Sequence, residues 1–155
     1  MKPQEDLHLY VGTYTSHSSK GIYSLKLDRQ TGAFSAPTLA AETENPSFLA
    51  LHPNGQFLYC VNETNSGRVT AFARGRNGET LRYLNDQPTQ GSYPCYVALD
   101  PRGQSVMVAN YGTGSVILFP VTAEGALGTA SDYKQHQGRG LNPRRQEGPH
   151  AHSIR

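Results

Sequence analysis

Apolar residues occur in this chain as short runs separated by turns rich in Gly, Pro and Asn. In the run 21–27, GIYSLKL, apolar and polar residues alternate, which predicts a β-strand. The next residues, DRQTG, predict a turn in which Gly32 adopts a positive φ that costs other residues more. The pattern therefore predicts short strands joined by tight turns.

One stretch of this pattern occurs twice. Residues 45–62, NPSFLALHPNGQFLYCVN, align without a gap with residues 93–110, YPCYVALDPRGQSVMVAN, and the two share seven identities. The repeat period is therefore 48 residues. A period of this size usually indicates stacked supersecondary units that cannot bury their apolar faces alone. We expect the chain to be organised in repeats rather than around one independent core.

The second repeat predicts four strands, namely FLALHP, FLYCVN, RVTAFA and a strand near 81–84. An Asn-Gly pair at 77–78 predicts that the last two are antiparallel neighbours, because this dipeptide is a strong hairpin signal. The third repeat follows the same order. The turn glycines of the three repeats are 46 and 47 residues apart, at Gly32, Gly78 and Gly125.

Four antiparallel strands that return every 40 to 50 residues or so are typical of a β-propeller blade, whose neighbours bury both faces of each small sheet. A β-sandwich also uses short strands, but it does not require one pattern to return at a fixed period. The first repeat lacks its first strand, since only a short polar lead precedes the segment 9–13 that aligns with 58–62. The predicted fold is all-β, a partial β-propeller of four-stranded antiparallel blades.

The period also sets the expected size of a complete ring. Seven blades at this period need about 340 residues, so the 155 residues here are expected to form about three blades of seven. Open blade edges predict that the isolated chain is poorly stable or self-associates. We place a partial first blade at 7–43, a second at 44–91, a third at 92–138, a connecting loop at 139–149 and the start of a fourth at 150–155.

The charge and hydropathy of the chain limit the kinds of partner that it is expected to bind. Charged residues make up 17% of the chain and the net charge is +2, so no strong field favours nucleic acid or an anionic membrane. No apolar run approaches the roughly 18 residues of a transmembrane helix, and the first residues have no apolar signal core. Cys60 and Cys95 stand at non-equivalent repeat positions without metal-like spacing, which predicts reduced thiols. A cytoplasmic protein is expected.

The interval between equivalent repeat positions is longer before the fourth unit than between the second and third. If His152 takes the place of Ser47 and Cys95 just before a first strand, the intervals are 48 and then 57 residues. About nine extra residues therefore lie in the segment 135–150, QHQGRGLNPRRQEGPH, which collects basic side chains. Loops on a rigid scaffold usually carry binding groups. The alternative is a solvated polar loop with no such task.

The chain contains no G-x-S-x-G elbow, no H-E-x-x-H and no P-loop. The segment richest in reactive side chains is 145–153, RQEGPHAHS. His150 and His152 share a face if this segment is extended, but a metal site needs a third ligand. We therefore predict no metal. Two interpretations stay open, an imidazole that acts on a substrate in the channel and a structural histidine held by hydrogen bonds.

Several segments resemble those of the seven-bladed β-propeller lactonase family, the group that holds bacterial 6-phosphogluconolactonase and carboxy-muconate lactonizing enzyme. The resemblance covers nearly the whole chain, and its last segment is specific. It implies lactone hydrolysis without a metal or an organic cofactor. The matching segments are VGTYT at 11–15, GIY at 21–23, NPSFLA at 45–50, YPCYVALDP at 93–101, VANY at 108–111, GSV at 114–116 and RQEGPHAHS at 145–153.

The same resemblance implies roles for two residues. By the local pattern of the family, His152 is the counterpart of the catalytic histidine and His150 is the second candidate. Arg145 is expected to bind the phosphate or carboxylate of the substrate, because a guanidinium can bind such a group bidentately, and Glu147 is the second expected substrate-binding residue. The expected substrate is an anionic sugar-acid lactone such as 6-phosphogluconolactone. The alternatives are a non-catalytic propeller that serves as an interaction scaffold, and a lactonizing enzyme that cyclises a muconate-like diacid.

Overall fold

The computed structural model describes residues 6–155, and the polar lead at 1–5 lies outside the described residues. These residues form eleven β-strands and no helix. The first sheet is three-stranded and antiparallel, in the order β1–β2–β3. Its strands are β1 (Leu7–Val11), β2 (Gly21–Leu27) and β3 (Thr38–Glu42).

The second and third sheets each have four antiparallel strands in sequence order. The second comprises β4 (Leu49–Leu51), β5 (Phe57–Asn62), β6 (Arg68–Arg74) and β7 (Leu81–Pro88). The third comprises β8 (Pro94–Leu99), β9 (Ser105–Asn110), β10 (Ser115–Pro120) and β11 (Asp132–Gln135). The predicted all-β class with small antiparallel sheets of a partial propeller is confirmed.

The second sheet lies between the other two, and this explains why β5 is apolar at nearly every position. Tyr59 and Val61 face the third sheet and pack in one core cluster with residues such as Val108. Leu58 and Cys60, on the opposite face, pack in a second cluster with the first sheet. Because successive strand residues point to opposite faces, only a strand covered on both sides needs such a continuous apolar run.

The tight turns follow the predicted glycine pattern. The three turn glycines have φ angles of 73°, 73° and 81°, at Gly32, Gly78 and Gly125 respectively. Two of them also join neighbouring sheets. The Tyr10 hydroxyl donates to the Gly78 carbonyl at 2.5 Å, and the Tyr59 hydroxyl donates to the Gly125 carbonyl at 3.0 Å. The same contact therefore recurs from the first to the second sheet and from the second to the third.

Two strands differ in length from their predicted bounds. The strand expected near 81–84 continues to Pro88, and a register shift between Ala71 and Phe72 accommodates it opposite β6. By contrast, only Leu49–Leu51 of the predicted FLALHP strand is paired. The end of β7 carries no apolar signal because this strand is largely polar. β4 ends at Leu51 because a turn begins directly after it, in which the Gly55 N–H donates to the His52 carbonyl. Within residues 6–155, no helix is long and apolar enough to cross a membrane.

Candidate active site at the sheet rim

Three equivalent repeat positions come together at one end of the sheets. Tyr14 lies beyond β1, Glu63 directly follows β5 and Tyr111 directly follows β9. Because the first and second strands of a sheet are antiparallel, the end of the second lies beside the start of the first, where Cys95 stands. We call these residues and the histidines that reach them the rim: Tyr14, Glu63, Cys95, Tyr111, His150 and His152.

The part of the rim nearest the first sheet is a tyrosine–carboxylate pair. The Tyr14 hydroxyl donates to Glu63 Oε2 at 2.9 Å. This hydrogen bond, followed by partial burial and the negative charge of the carboxylate, raises the pKa of Tyr14 above its ordinary value. The Glu63 carboxylate therefore already has a partner at the rim.

His150 is held on both sides of its ring. Its imidazole stacks on Tyr111 with ring centroids 4.5 Å apart and planes at 19°. Its Nδ1 lies 2.9 Å from the Tyr111 carbonyl oxygen, which can only accept, so Nδ1 carries the proton of this hydrogen bond. Its Nε2 lies 3.4 Å from Glu147 Oε1. The structure thus brings together two predicted site residues, His150 and Glu147.

His152 has a different environment. Its ring meets Tyr111 edge-on, with centroids 4.8 Å apart and planes at 68°. It is exposed, and its two ring nitrogens make no hydrogen bond or ion pair within residues 6–155. Its backbone is held instead, because Cys95 Sγ lies 3.5 Å from the Ala151 carbonyl oxygen and 3.8 Å from that of His152. A ring nitrogen of His152 is therefore accessible to water or a substrate.

Arg145 lies apart from these contacts in an exposed turn. Its backbone N–H donates to the Asn142 carbonyl at 3.2 Å, and that of Gln146 donates to the same oxygen at 2.7 Å. Its guanidinium makes no ion pair or hydrogen bond in the described part of the chain. The turn thus presents a cation to solvent a few residues before the histidines. Its predicted contact with a substrate stays a prediction.

Segment 136–155 contains no strand in the described structure, so the expected start of a fourth blade near His152 also stays a prediction. No three His, Cys, Asp or Glu side chains among residues 6–155 are grouped as metal ligands. Both thiols are free, with Cys60 buried and Cys95 half-buried. Burial raises the pKa of the Cys95 thiol, and the nearby Glu63 charge adds to this effect.

Sequence reasoning did not assign a role to Tyr111. This residue entered only as part of a matching segment, VANY, although it is the residue that touches both histidines. The repeat carried a usable signal, because Tyr111 follows Asn110 as Glu63 follows Asn62. The repeat pattern does not include the loop 136–149, and this loop is what brings the histidines close to the end of β9.

Comparisons with known proteins agree with this architecture. A family model described as "Lactonase, 7-bladed beta-propeller" matches residues 8–155. A 6-phosphogluconolactonase of Bacillus subtilis (strain 168) is 41% identical over 144 residues, which cover 92% of this chain and 41% of that protein. The chain thus spans about two fifths of the length of the curated relatives it matches.

Solved structures give the same picture. A crystal structure from Bacteroides fragilis NCTC 9343, described as a candidate 6-phosphogluconolactonase, has a TM-score of 0.92 and 40% identity, and covers 100% of this chain and 43% of that one. A periplasmic gluconolactonase of Pseudomonas aeruginosa has a TM-score of 0.84 and 33% identity, and covers 90% of this chain and 41% of that one. Each neighbour is matched over a similar share of its length.

Proposed function

Because the chain belongs to the lactonase family of seven-bladed β-propellers, we propose that a full-length version of it hydrolyses a sugar-acid lactone such as 6-phosphogluconolactone. The names of relatives support this substrate class, since two of them are called 6-phosphogluconolactonase. The observation that carries the proposal is the contrast within the histidine pair. His150 is engaged at both ring nitrogens, whereas the exposed ring of His152 has both nitrogens accessible.

The proposed reaction begins with a neutral His152. One ring nitrogen accepts a proton from water while the water oxygen attacks the lactone carbonyl carbon, and general-base help of this kind contributes about 100-fold to 10,000-fold. The tetrahedral intermediate then collapses, the ring C–O bond breaks and the departing oxygen takes up the proton. The product is the open hydroxy acid. No redox step or group carrier enters this balance.

Arg145 is proposed to bind the anionic end of the substrate. A guanidinium matches phosphate or carboxylate with two parallel N–H donors, and such charge-assisted pairs are stronger than neutral ones. The exposed position of Arg145 in the turn supports this role, because its guanidinium donors have no partner among residues 6–155. Glu147, which was expected at the substrate, is proposed instead to act there through His150, its partner at 3.4 Å.

The direct test is turnover of 6-phosphogluconolactone and of unphosphorylated gluconolactone by a full-length version that carries the remaining sheets. We expect hydrolysis of a lactone, with preference for the phosphorylated one if Arg145 binds the anion. Arg145→Ala is then expected to raise KM for the phosphorylated substrate more than for the neutral one. Absence of hydrolysis with both, together with cyclisation of a muconate-like diacid, would favour the lactonizing alternative. Absence of all turnover would favour the scaffold alternative.

A phosphorylated sugar-acid lactone places the enzyme in the pentose phosphate pathway of carbohydrate metabolism, and a cytoplasmic location follows from that role. The Pseudomonas aeruginosa relative is named as periplasmic, so the fold by itself does not assign a compartment. Fractionation of cells that express the full-length version tests this statement, and its recovery with periplasmic markers would refute the cytoplasmic location.

Self-association of the 155-residue chain is proposed for its first sheet. Large apolar side chains are exposed there, with Phe34 at 65%, Val11 at 45% and Leu39 at 39% exposure. Exposed apolar surface of this kind favours association. Sedimentation of the chain at micromolar concentration is expected to show species larger than a monomer, and a compact, stable monomer would count against this proposal.

A further inference from the structure

Tyr111 connects the rigid sheet to the histidine pair. Its backbone N–H donates to the Tyr93 carbonyl at 3.0 Å, and it directly follows Asn110, which is fully buried. Its ring lies between two imidazoles from a segment about 40 residues further on, stacked on one and edge-on to the other. Its carbonyl also accepts the proton of His150 Nδ1. Tyr111 is thus a fixed point against which a solvent-exposed loop is oriented.

We propose that Tyr111 is a positioning residue that sets the ring orientation of His152, and that it does so through its aromatic ring rather than with its hydroxyl. This inference rests on the proposed function of the histidine pair. The hydroxyl makes no hydrogen bond within residues 6–155, so the ring contacts are what the side chain contributes there. Aromatic rings prefer stacked or edge-to-face contacts at these centroid separations, which gives each imidazole a preferred orientation.

The orientation matters because, within residues 6–155, Tyr111 is the aromatic partner of His152 and no hydrogen bond or ion pair holds the ring nitrogens. An exposed imidazole without a neighbour exchanges between rotamers, and only some of them direct a nitrogen at the attacking water. Misplacement of a catalytic group by about 1 Å lowers rates by about 100-fold. Loss of the Tyr111 ring is therefore expected to lower the rate of the chemical step while leaving the basic turn that holds Arg145 in place.

The equivalent position in the second sheet shows that the repeat does not require an aromatic residue here. Glu63 follows the buried Asn62 as Tyr111 follows Asn110, yet Glu63 accepts from a tyrosine hydroxyl and makes no hydrogen bond or ion pair with a histidine within residues 6–155. The tyrosine at this position of the third sheet thus serves the contact with the histidines of the loop that packs on it. A residue that only filled space at the rim would not need parallel and perpendicular contacts with two different rings.

The test uses two substitutions and one matched control in a full-length version. Tyr111→Leu keeps an apolar side chain but removes the ring, and we expect it to lower kcat for 6-phosphogluconolactone by about 10-fold to 100-fold with KM changed less than about 3-fold. Tyr111→Phe keeps the ring and is expected to retain nearly full kcat. Tyr83→Leu removes an exposed tyrosine from the outer strand β7 and is expected to leave both constants unchanged.

A second readout does not depend on turnover. In NMR spectra of the same proteins, the stacked Tyr111 ring is expected to shift the ring protons of His150 upfield, and this shift should persist in Tyr111→Phe and disappear in Tyr111→Leu. The proposal is overturned if Tyr111→Leu keeps its kcat, if Tyr111→Phe loses as much kcat as Tyr111→Leu, or if the His150 shift does not change. If wild type turns over no lactone while the shift behaves as expected, the proposed function fails but the ring contact stands.

Discussion

The second and third sheets share a repeat and a strand order, but they end differently at the rim. In the second, Asn62 Nδ2 donates to the Thr43 hydroxyl at 2.9 Å and to the Glu44 carbonyl at 2.6 Å, and its Oδ1 accepts from Thr70 at 2.7 Å. Its amide nitrogen therefore connects the second sheet to the residues that follow β3, and its amide oxygen is satisfied within the second sheet. The residue that follows then pairs with Tyr14.

In the third sheet, the equivalent Asn110 makes the same backward connection but leaves one atom without a partner. Its Nδ2 donates to the Thr89 carbonyl at 3.1 Å and to the Ser115 hydroxyl at 3.0 Å, while its buried Oδ1 has no partner in the described part of the chain. The difference arises at one equivalent position of β6 and β10. Thr70 occupies it in the second sheet and donates to the asparagine oxygen, whereas Ile117 occupies it in the third sheet and has no donor. The repeat therefore conserves the connection between sheets, whereas the following residue is free to take up a chemical role.

The largest expected difference between the two sheets concerns their turn glycines. An alanine Cβ at Gly125 would overlap the Phe57 ring, whereas one at Gly78 would lie 3.0 Å from a flexible Arg74 nitrogen. Both positions also have positive φ. We expect Gly125→Ala to lower the free energy of unfolding of the chain by about 3 kcal/mol or more and Gly78→Ala by about 1 kcal/mol. Urea unfolding followed by circular dichroism measures both, and equal losses would refute the packing argument.

The buried asparagines provide the next comparison. Asn62→Ala removes three hydrogen bonds, to two hydroxyls and one carbonyl, so we expect a loss of about 2 kcal/mol. Asn110→Ala removes two hydrogen bonds but also removes the unpaired Oδ1, so we expect about 1 kcal/mol. The same urea experiment compares them. If Asn110→Ala proved the more costly of the two, its Oδ1 would have to be satisfied in solution.

A smaller effect is expected from the hydroxyl that joins the second sheet to the third. Tyr59→Phe leaves the buried Gly125 carbonyl without its donor, which we expect to cost about 1 kcal/mol. The third sheet has Met107 at this repeat position and cannot make the contact. Tyr83→Phe is the matched control, because the exposed Tyr83 hydroxyl donates to Asp86 at the surface and its loss should cost close to nothing. Equal values for the two variants would show that the inter-sheet bond contributes no stability.

The smallest effect on the stability of the fold near neutral pH is expected from the ionisation of the cysteines. Burial raises the pKa of Cys60 from 9.0 to about 12, so the neutral thiol contributes to the stability of the folded state only until the unfolded chain can release this proton. The contribution is fully present below about pH 9 and is lost as the pH rises to about 12. At pH 8 a thiol reagent is expected to label Cys95 first and Cys60 only on unfolding. Rapid labelling of both thiols in the folded chain would contradict the burial of Cys60.

The sequence predicted the parts of the fold that depend on local pattern. The bounds of β2 followed from alternation between two turns, and the relation of the second and third sheets followed from the 48-residue repeat. The end of β7 at Pro88 did not, because an outer strand that faces solvent lacks the apolar alternation that marks a strand. Pattern predicts the covered strands better than the exposed ones.

The site was predicted in part for a similar reason. His150 and His152 could be identified because they lie in the segment richest in reactive side chains, and the resemblance to a family supplied their proposed roles. The contact of both rings with Tyr111 was not predicted, since it depends on the path of a loop with no strand in it. Nor did the sequence show that Glu147 lies beside His150. Contacts made by an irregular loop leave no periodic pattern in the sequence and therefore cannot be predicted from it.

The central claim is that His152, and not its neighbour His150, is the base that activates water at the rim. The most direct measurement is lactone hydrolysis against pH by a full-length version and its His152→Ala, His150→Ala and Arg145→Ala variants, each checked for folding by circular dichroism. The account predicts that His152→Ala lowers kcat by about 100-fold to 10,000-fold with the fold intact, that His150→Ala has a smaller effect and that Arg145→Ala chiefly raises KM. Near-normal turnover in His152→Ala with loss of turnover in His150→Ala would contradict it.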